Sequence, residues 1–154
     1  MKAPIKSLGL FLIFTLAACD SNRPNEVSGT QAERIKIVSK IIASNTPLPG
    51  AILDANFVQE VIGDGRIAPS DVTSFGVLVV APADLPAWRA VLAPLEAQNT
   101  PAAYAAPKQA CSWWLSATEF SSLEFHSPKS LTGRVNGWVG IAPDGRIFMV
   151  SFSM

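Results

Sequence analysis

Pro143-Asp144-Gly145-Arg146 lies between two apolar runs, residues 135–142 and 147–154. An Asp-Gly pair in that setting is the strongest short-range signal for a β-hairpin. This constrains the fold more than any other feature, because it commits the C-terminal end to an antiparallel pair. Read as a two-residue turn, it pairs Ile141 with Phe148, Val139 with Val150, Gly137 with Phe152 and Val135 with Met154. Every residue on that face is apolar or glycine. The opposite face pairs Ala142 with Ile147, Gly140 with Met149, Trp138 with Ser151 and Asn136 with Ser153, and is mixed.

Other elements follow from hydrophobic rhythm. Residues 72–80 read as a strand with apolar side chains on both faces, Phe75, Val77 and Val79 on one and Leu78 and Val80 on the other. That pattern suits an interior strand covered on both sides. Thr30-Gln31-Ala32-Glu33 matches a capping box, in which the Thr and Glu side chains satisfy each other's free backbone N–H groups. Ile35, Val38, Ile41 and Ile42 then continue at helical spacing, so a helix is expected over 31–43, ending before Pro47 and Pro49. Asp54 is read as the cap of a second, shorter helix carrying Phe57, Val58, Val61 and Ile62. A third helix is expected over 84–95 with Leu85, Trp88, Val91, Leu92 and Leu95 on one side, ended or kinked by Pro94.

Residues 98–110 are rich in Ala and Pro and form a loop of unusual length, the kind that is often functional. The segment 111–116 is expected to be a strand, which would send Trp113 and Trp114 to opposite faces. Ser116-Ala117-Thr118-Glu119 is a second capping box, and Leu123 and Phe125 alternate as in a further strand. The fold class implied is α+β. A small, mainly antiparallel sheet, with two or three helices packed against it, ends in the C-terminal β-hairpin, and residues 30–154 form a single domain.

The beginning of the chain has a different character. Lys2 and Lys6 precede an apolar run over 8–18, which is short for a membrane span and reads as the core of a secretory signal peptide, residues 1–18. Leu16-Ala17-Ala18-Cys19 closes it. All four positions resemble the lipobox of bacterial lipoproteins. The resemblance implies cleavage before Cys19, with diacylglycerol on its sulfur and an N-acyl chain on its new amino group, and hence a partner in the lipid bilayer. Two or three chains hold a protein firmly where one holds it only marginally. Asp20 resembles the retention signal of inner-membrane lipoproteins, which favours the periplasmic face of the inner membrane over the outer membrane. Residues 19–29 then read as the lipidated cysteine and a polar tether.

Composition excludes several roles. Of the two cysteines in the chain, Cys19 is taken by lipid, so Cys111 has no disulfide partner within the domain. The 12 basic and 12 acidic residues form no basic stripe, so nucleic acid is not an expected partner. His126 is the single histidine, which rules out a two-histidine metal site within one chain. No HExxH or G-x-S-x-G motif is present.

What remains are candidates for a site. Cys111 and His126 are the one nucleophile–base combination available. Ala110-Cys111-Ser112 partly resembles the Asp-Cys-Ser-Gly nucleophile segment of peptidoglycan-cutting cysteine peptidases, with Ala for Asp and Trp113 for Gly. Residues 64–71 are similar to the second half of an EF-hand calcium loop, with Asp64 and Asp71 as ligands, but Ile62 stands where an oxygen ligand is needed. Glu119 and Glu124 are candidate paired acids. Tyr104, Trp113 and Trp114 are the candidate aromatic anchors for a partner. The expected function is a non-catalytic domain that binds a protein or another envelope component beside the membrane. The alternative is an envelope hydrolase or small-ligand-binding domain with a pocket near Cys111 and His126. Apart from the lipid, no cofactor is implied.

Overall fold

A computed structural model describes residues 25–44, 46–62, 71–95 and 102–153. Helix α1 (Gln31–Ala43) begins at the Thr30–Glu33 capping box, with Glu33 Oε2 accepting from the Thr30 backbone N–H at 2.8 Å. Val38 and Ile42 are its fully buried residues. Strand β1 (Ile52–Ile62) follows, then β2 (Asp71–Val80). A 3-10 turn over Pro82–Asp84 leads into α2 (Leu85–Val91). Short helix α3 (Ala117–Phe120) starts at the Ser116–Glu119 capping box. Strand β3 (Glu124–His126), helix α4 (Lys129–Thr132), strand β4 (Gly137–Ile141) and strand β5 (Arg146–Phe152) complete the order.

The five strands make one open antiparallel sheet in the order β1-β2-β5-β4-β3. Both of its faces are covered. On one, α1, α2 and α4 supply Val38, Ile42, Trp88 and Leu131, which pack on Phe57, Leu78, Val139 and Met149. On the other, Phe75, Val77, Trp138, Phe148 and Val150 lie under the segment 102–120, which carries Trp113, Trp114, Leu115 and Phe120. As expected of an interior strand, β2 sends Phe75 and Val77 to one cluster and Leu78 and Val80 to the other.

Several expectations are overturned. Residues 54–62 are part of β1 and not a helix. Phe57, Val58, Val61 and Ile62 are aromatic or β-branched types that suit a pleated surface. Their spacing serves a strand covered on both sides, since Ala55 and Phe57 enter one cluster and Val58 the other. Asp54 is not a helix cap; it pairs with Arg34 of α1 at 2.7 Å.

The hairpin register is shifted by one residue. Val139 pairs with Met149, Gly140 with Phe148, and Ile141 with Ile147. The connection is a three-residue loop, in which the Ala142 N–H donates to Arg146 O at 2.9 Å and Gly145 takes φ +95°. Pro143 explains the choice. Its fixed negative φ suits the first central position of a type I turn, and a following glycine in the left-handed region completes that three-residue hairpin. Gly137 consequently lies opposite Ser151, not Phe152.

Residues 111–116 form a turn instead of a strand, with the Trp114 N–H donating to Cys111 O at 3.1 Å. Both tryptophans therefore reach the same face of the sheet. The described residues begin at the outer edge of the sheet. Asn25, Glu26 and Val27 lie along the outer edge of β1, where Val27 N–H donates to Phe57 O at 2.9 Å and Gln59 N–H to Asn25 O at 3.1 Å. Arg34 Nε adds a bond to Ala55 O at 3.0 Å, and Gln31 one to Leu53 O. An edge strand presents a row of unpaired backbone groups, and this one is covered from residue 53 to 59. The third helix also stops short, at Val91, and Pro94 instead bridges His126 of β3.

Candidate binding cleft

Residues 102–110 have no helix or strand, so their backbone groups need partners from side chains. Aromatic residues provide them. Trp138 Nε1 donates to Ala103 O at 3.1 Å, and Trp114 Nε1 to Ala105 O at 2.9 Å. The Tyr104 hydroxyl donates to Leu115 O at 3.2 Å, and the Lys108 backbone N–H to Glu60 Oε1 at 2.6 Å. Trp114 is itself fixed by edge-to-face contacts with Phe75 at 5.3 Å and Phe148 at 5.7 Å. The result is a strap held across one end of the sheet. Its alanines keep it close to the strands without filling the space beneath.

Between the strap and the sheet is a cleft of about 640 Å³, within the roughly 300–1,000 Å³ range of small-molecule sites. Phe75, Trp138, Val150 and Phe152 form its apolar floor. Among the described residues, its wall carries one cation, Lys108, and one acid, Glu60. Thr73 and Asn136 add neutral polar groups. A smaller cavity of about 330 Å³ lies on the other side of the Glu60–Lys108 bond, lined by Asn25, Val61 and Cys111 among others.

The candidates from sequence fall in different places. Tyr104 is on the cleft wall. Trp114 is a strut holding the strap, and Trp113 ties it to the start of the domain, its Nε1 donating to Glu26 Oε1 at 3.1 Å. Cys111 sits in the smaller cavity beside β1, its Sγ directed at Gln109 O at 3.4 Å. His126 lies on β3, the opposite edge strand. Four strand spacings separate the two edges, roughly 19 Å at about 4.8 Å each. The structure does not bring Cys111 and His126 together. His126 Nε2 faces Glu124 at 3.0 Å, and Nδ1 is buried with no partner among the described residues. His126 is not among the residues that line the cleft.

Glu119 and Glu124 are also separated by chemistry. Glu119 is held down to about 2 by the Ser116 backbone N–H, then by Arg146 and the Ser116 hydroxyl. Glu124 is lowered as well, chiefly by its hydrogen bond from Arg89. A paired-acid mechanism needs one carboxyl that stays protonated, with a raised pKa. Both carboxyls are shifted the other way. Asp71 opens β2 opposite Ile62, while Asp64 and Cys19 lie outside the described residues. Among the described residues no group of three His, Cys, Asp or Glu could hold a metal.

Sequence reasoning singled out Tyr104 but missed Glu60, Thr73, Phe75, Trp138 and Phe152 as cleft residues. The readable signal was the pattern Ala102-Ala103-Tyr104-Ala105-Ala106, a non-periodic run too small to fill space against a sheet rich in aromatics. No protein-family model, curated protein or solved structure matches the chain.

Proposed function

We propose that the chain is a lipid-anchored envelope protein, held through Cys19, whose folded domain is a non-catalytic binding module. The cleft beneath the 102–110 strap is its binding site. Asp20 favours the periplasmic face of the inner membrane. The observation that carries the reading is the cleft itself: a concave, largely apolar space with a few polar groups on its wall, under a strap that aromatic side chains hold in place. The hydrolase alternative loses its geometric support because Cys111 and His126 lie beside opposite edges of the sheet.

The test begins with metabolic palmitate labelling, in which wild type takes the label and Cys19→Ala does not. The full chain is then purified from its membrane, and ligands that copurify are compared by mass spectrometry. Ala103→Trp, which adds bulk to the cleft lining, is expected to lose the ligand. Cys111→Ser and His126→Ala are expected to keep it. Retention in Ala103→Trp with loss in Cys111→Ser would move the site to the smaller cavity and refute the proposal.

A further inference from the structure

The mouth of the cleft and the position of Asn25 together specify a ligand class. Seven large apolar side chains are well exposed among the described residues, and four of them cluster here. Ile62, Tyr104 and Val135 border the cleft, and Val61 borders the adjoining cavity. Single exposed apolar residues are ordinary, but a rim of them around an apolar hollow marks an interaction site. Asn25, the first described residue, lines that adjoining cavity and accepts from the Gln59 N–H. From Cys19 to Asn25 an extended chain reaches about 20 Å.

Resting on the lipid-anchored reading above, we propose that the apolar rim sits against the bilayer and that the cleft takes one acyl chain of a bilayer phospholipid. The short connection keeps the mouth near the membrane at high effective concentration, so even a weak site fills. Phe75, Trp138, Val150 and Phe152 offer the chain a floor without charge. Among the described residues the wall holds one cation and one acid, Lys108 and Glu60, whose charges offset each other, so the headgroup's charge contributes little to selection. Occupancy therefore follows the acyl chain, and is insensitive to the fraction of anionic lipid and to salt.

The experiment uses the full lipidated chain in phosphatidylcholine vesicles containing a phosphatidylcholine with a diazirine at the end of one acyl chain. After irradiation, the labelled residues are mapped by mass spectrometry. The expected result is label at the floor, on Phe75, Val150 and Phe152, unchanged when phosphatidylglycerol replaces half of the lipid. Val135→Glu is expected to lower it by about tenfold, because a carboxylate at the rim must be desolvated. Val135 is more than half exposed, so this variant keeps the fold, and Ile62→Glu brings the same charge from another strand. Label confined to residues outside the cleft overturns the inference, as does floor label that tracks the phosphatidylglycerol content or persists undiminished in both variants. Palmitate on Cys19 with an unlabelled floor removes the acyl-chain inference alone. A Cys19 that takes no palmitate removes the anchored reading with it.

Discussion

Replacing Gly137 by Ala probes the hairpin register directly. Gly137 has φ +120°, and a Cβ built there lies 2.0 Å from Val150 O and 2.8 Å from Ser151 Cα. A side chain in that backbone region costs about 1–3 kcal/mol on its own. The overlap is with backbone of the paired strand, which no rotamer change relieves. The strands must part by more than an ångström, which weakens one or two ladder hydrogen bonds at about 0.5–1.5 kcal/mol each. The sum is about 1.5–6 kcal/mol, a large share of the roughly 5–15 kcal/mol that stabilises a typical domain. Gly140→Ala is the comparison. Its Cβ would lie 2.6 Å from Leu123 Cδ1, the end of a side chain that can turn, so about 1–2 kcal/mol is expected. Urea denaturation followed by tryptophan fluorescence measures both. In the two-residue-turn register Gly137 would face Phe152, and Ala would be tolerated. A loss under about 1 kcal/mol for Gly137→Ala, with an unchanged denaturant slope, would refute the observed register.

Three further outcomes follow from local chemistry. Thr30→Ala removes one half of the first capping box and should lower stability by about 1 kcal/mol in the same denaturation assay. Leu131→Ala empties a fully buried position of α4 against the sheet and should cost about 2–5 kcal/mol, read as a lowered urea midpoint. Glu119 binds its proton less readily in the folded state, at about 2 against an ordinary 4.5. Its stabilising effect is therefore complete above about 4.5 and lost as pH falls towards about 2. Wild type and Glu119→Gln should differ in melting temperature at pH 6 and converge near pH 2; a constant difference would remove Glu119 from the account.

Local devices were legible in the sequence. The two capping boxes, Thr30 with Glu33 and Ser116 with Glu119, join groups three residues apart, and both form as read. The strand at 72–80 and the existence of the final hairpin were also legible, because alternation and an Asp-Gly turn are short-range patterns. The hairpin register was missed although its signal was present. Pro143 before Asp144-Gly145 marks a type I turn and a three-residue loop, whereas the Asp-Gly pair by itself points to a loop of two. The apolar pattern had no means of correcting this. With both faces of the sheet covered, a slip by one residue exchanges one apolar set for another.

Amino-acid order alone thus determined the α+β class, the starts of α1, α2 and α3, and the interior strand. Each depends on neighbours within a few residues. Tertiary structure decided the rest. It made 52–62 a strand by placing β2 beside it, and it covered the outer edge with Asn25, Glu26 and Val27. It set Cys111 and His126 beside opposite edges, through strand order that spacing does not encode. It also formed the cleft, because Trp114 and Trp138 hold a strap that has no regular structure. Those bonds join residues 9 and 35 positions apart, and only the folded sheet brings them within reach.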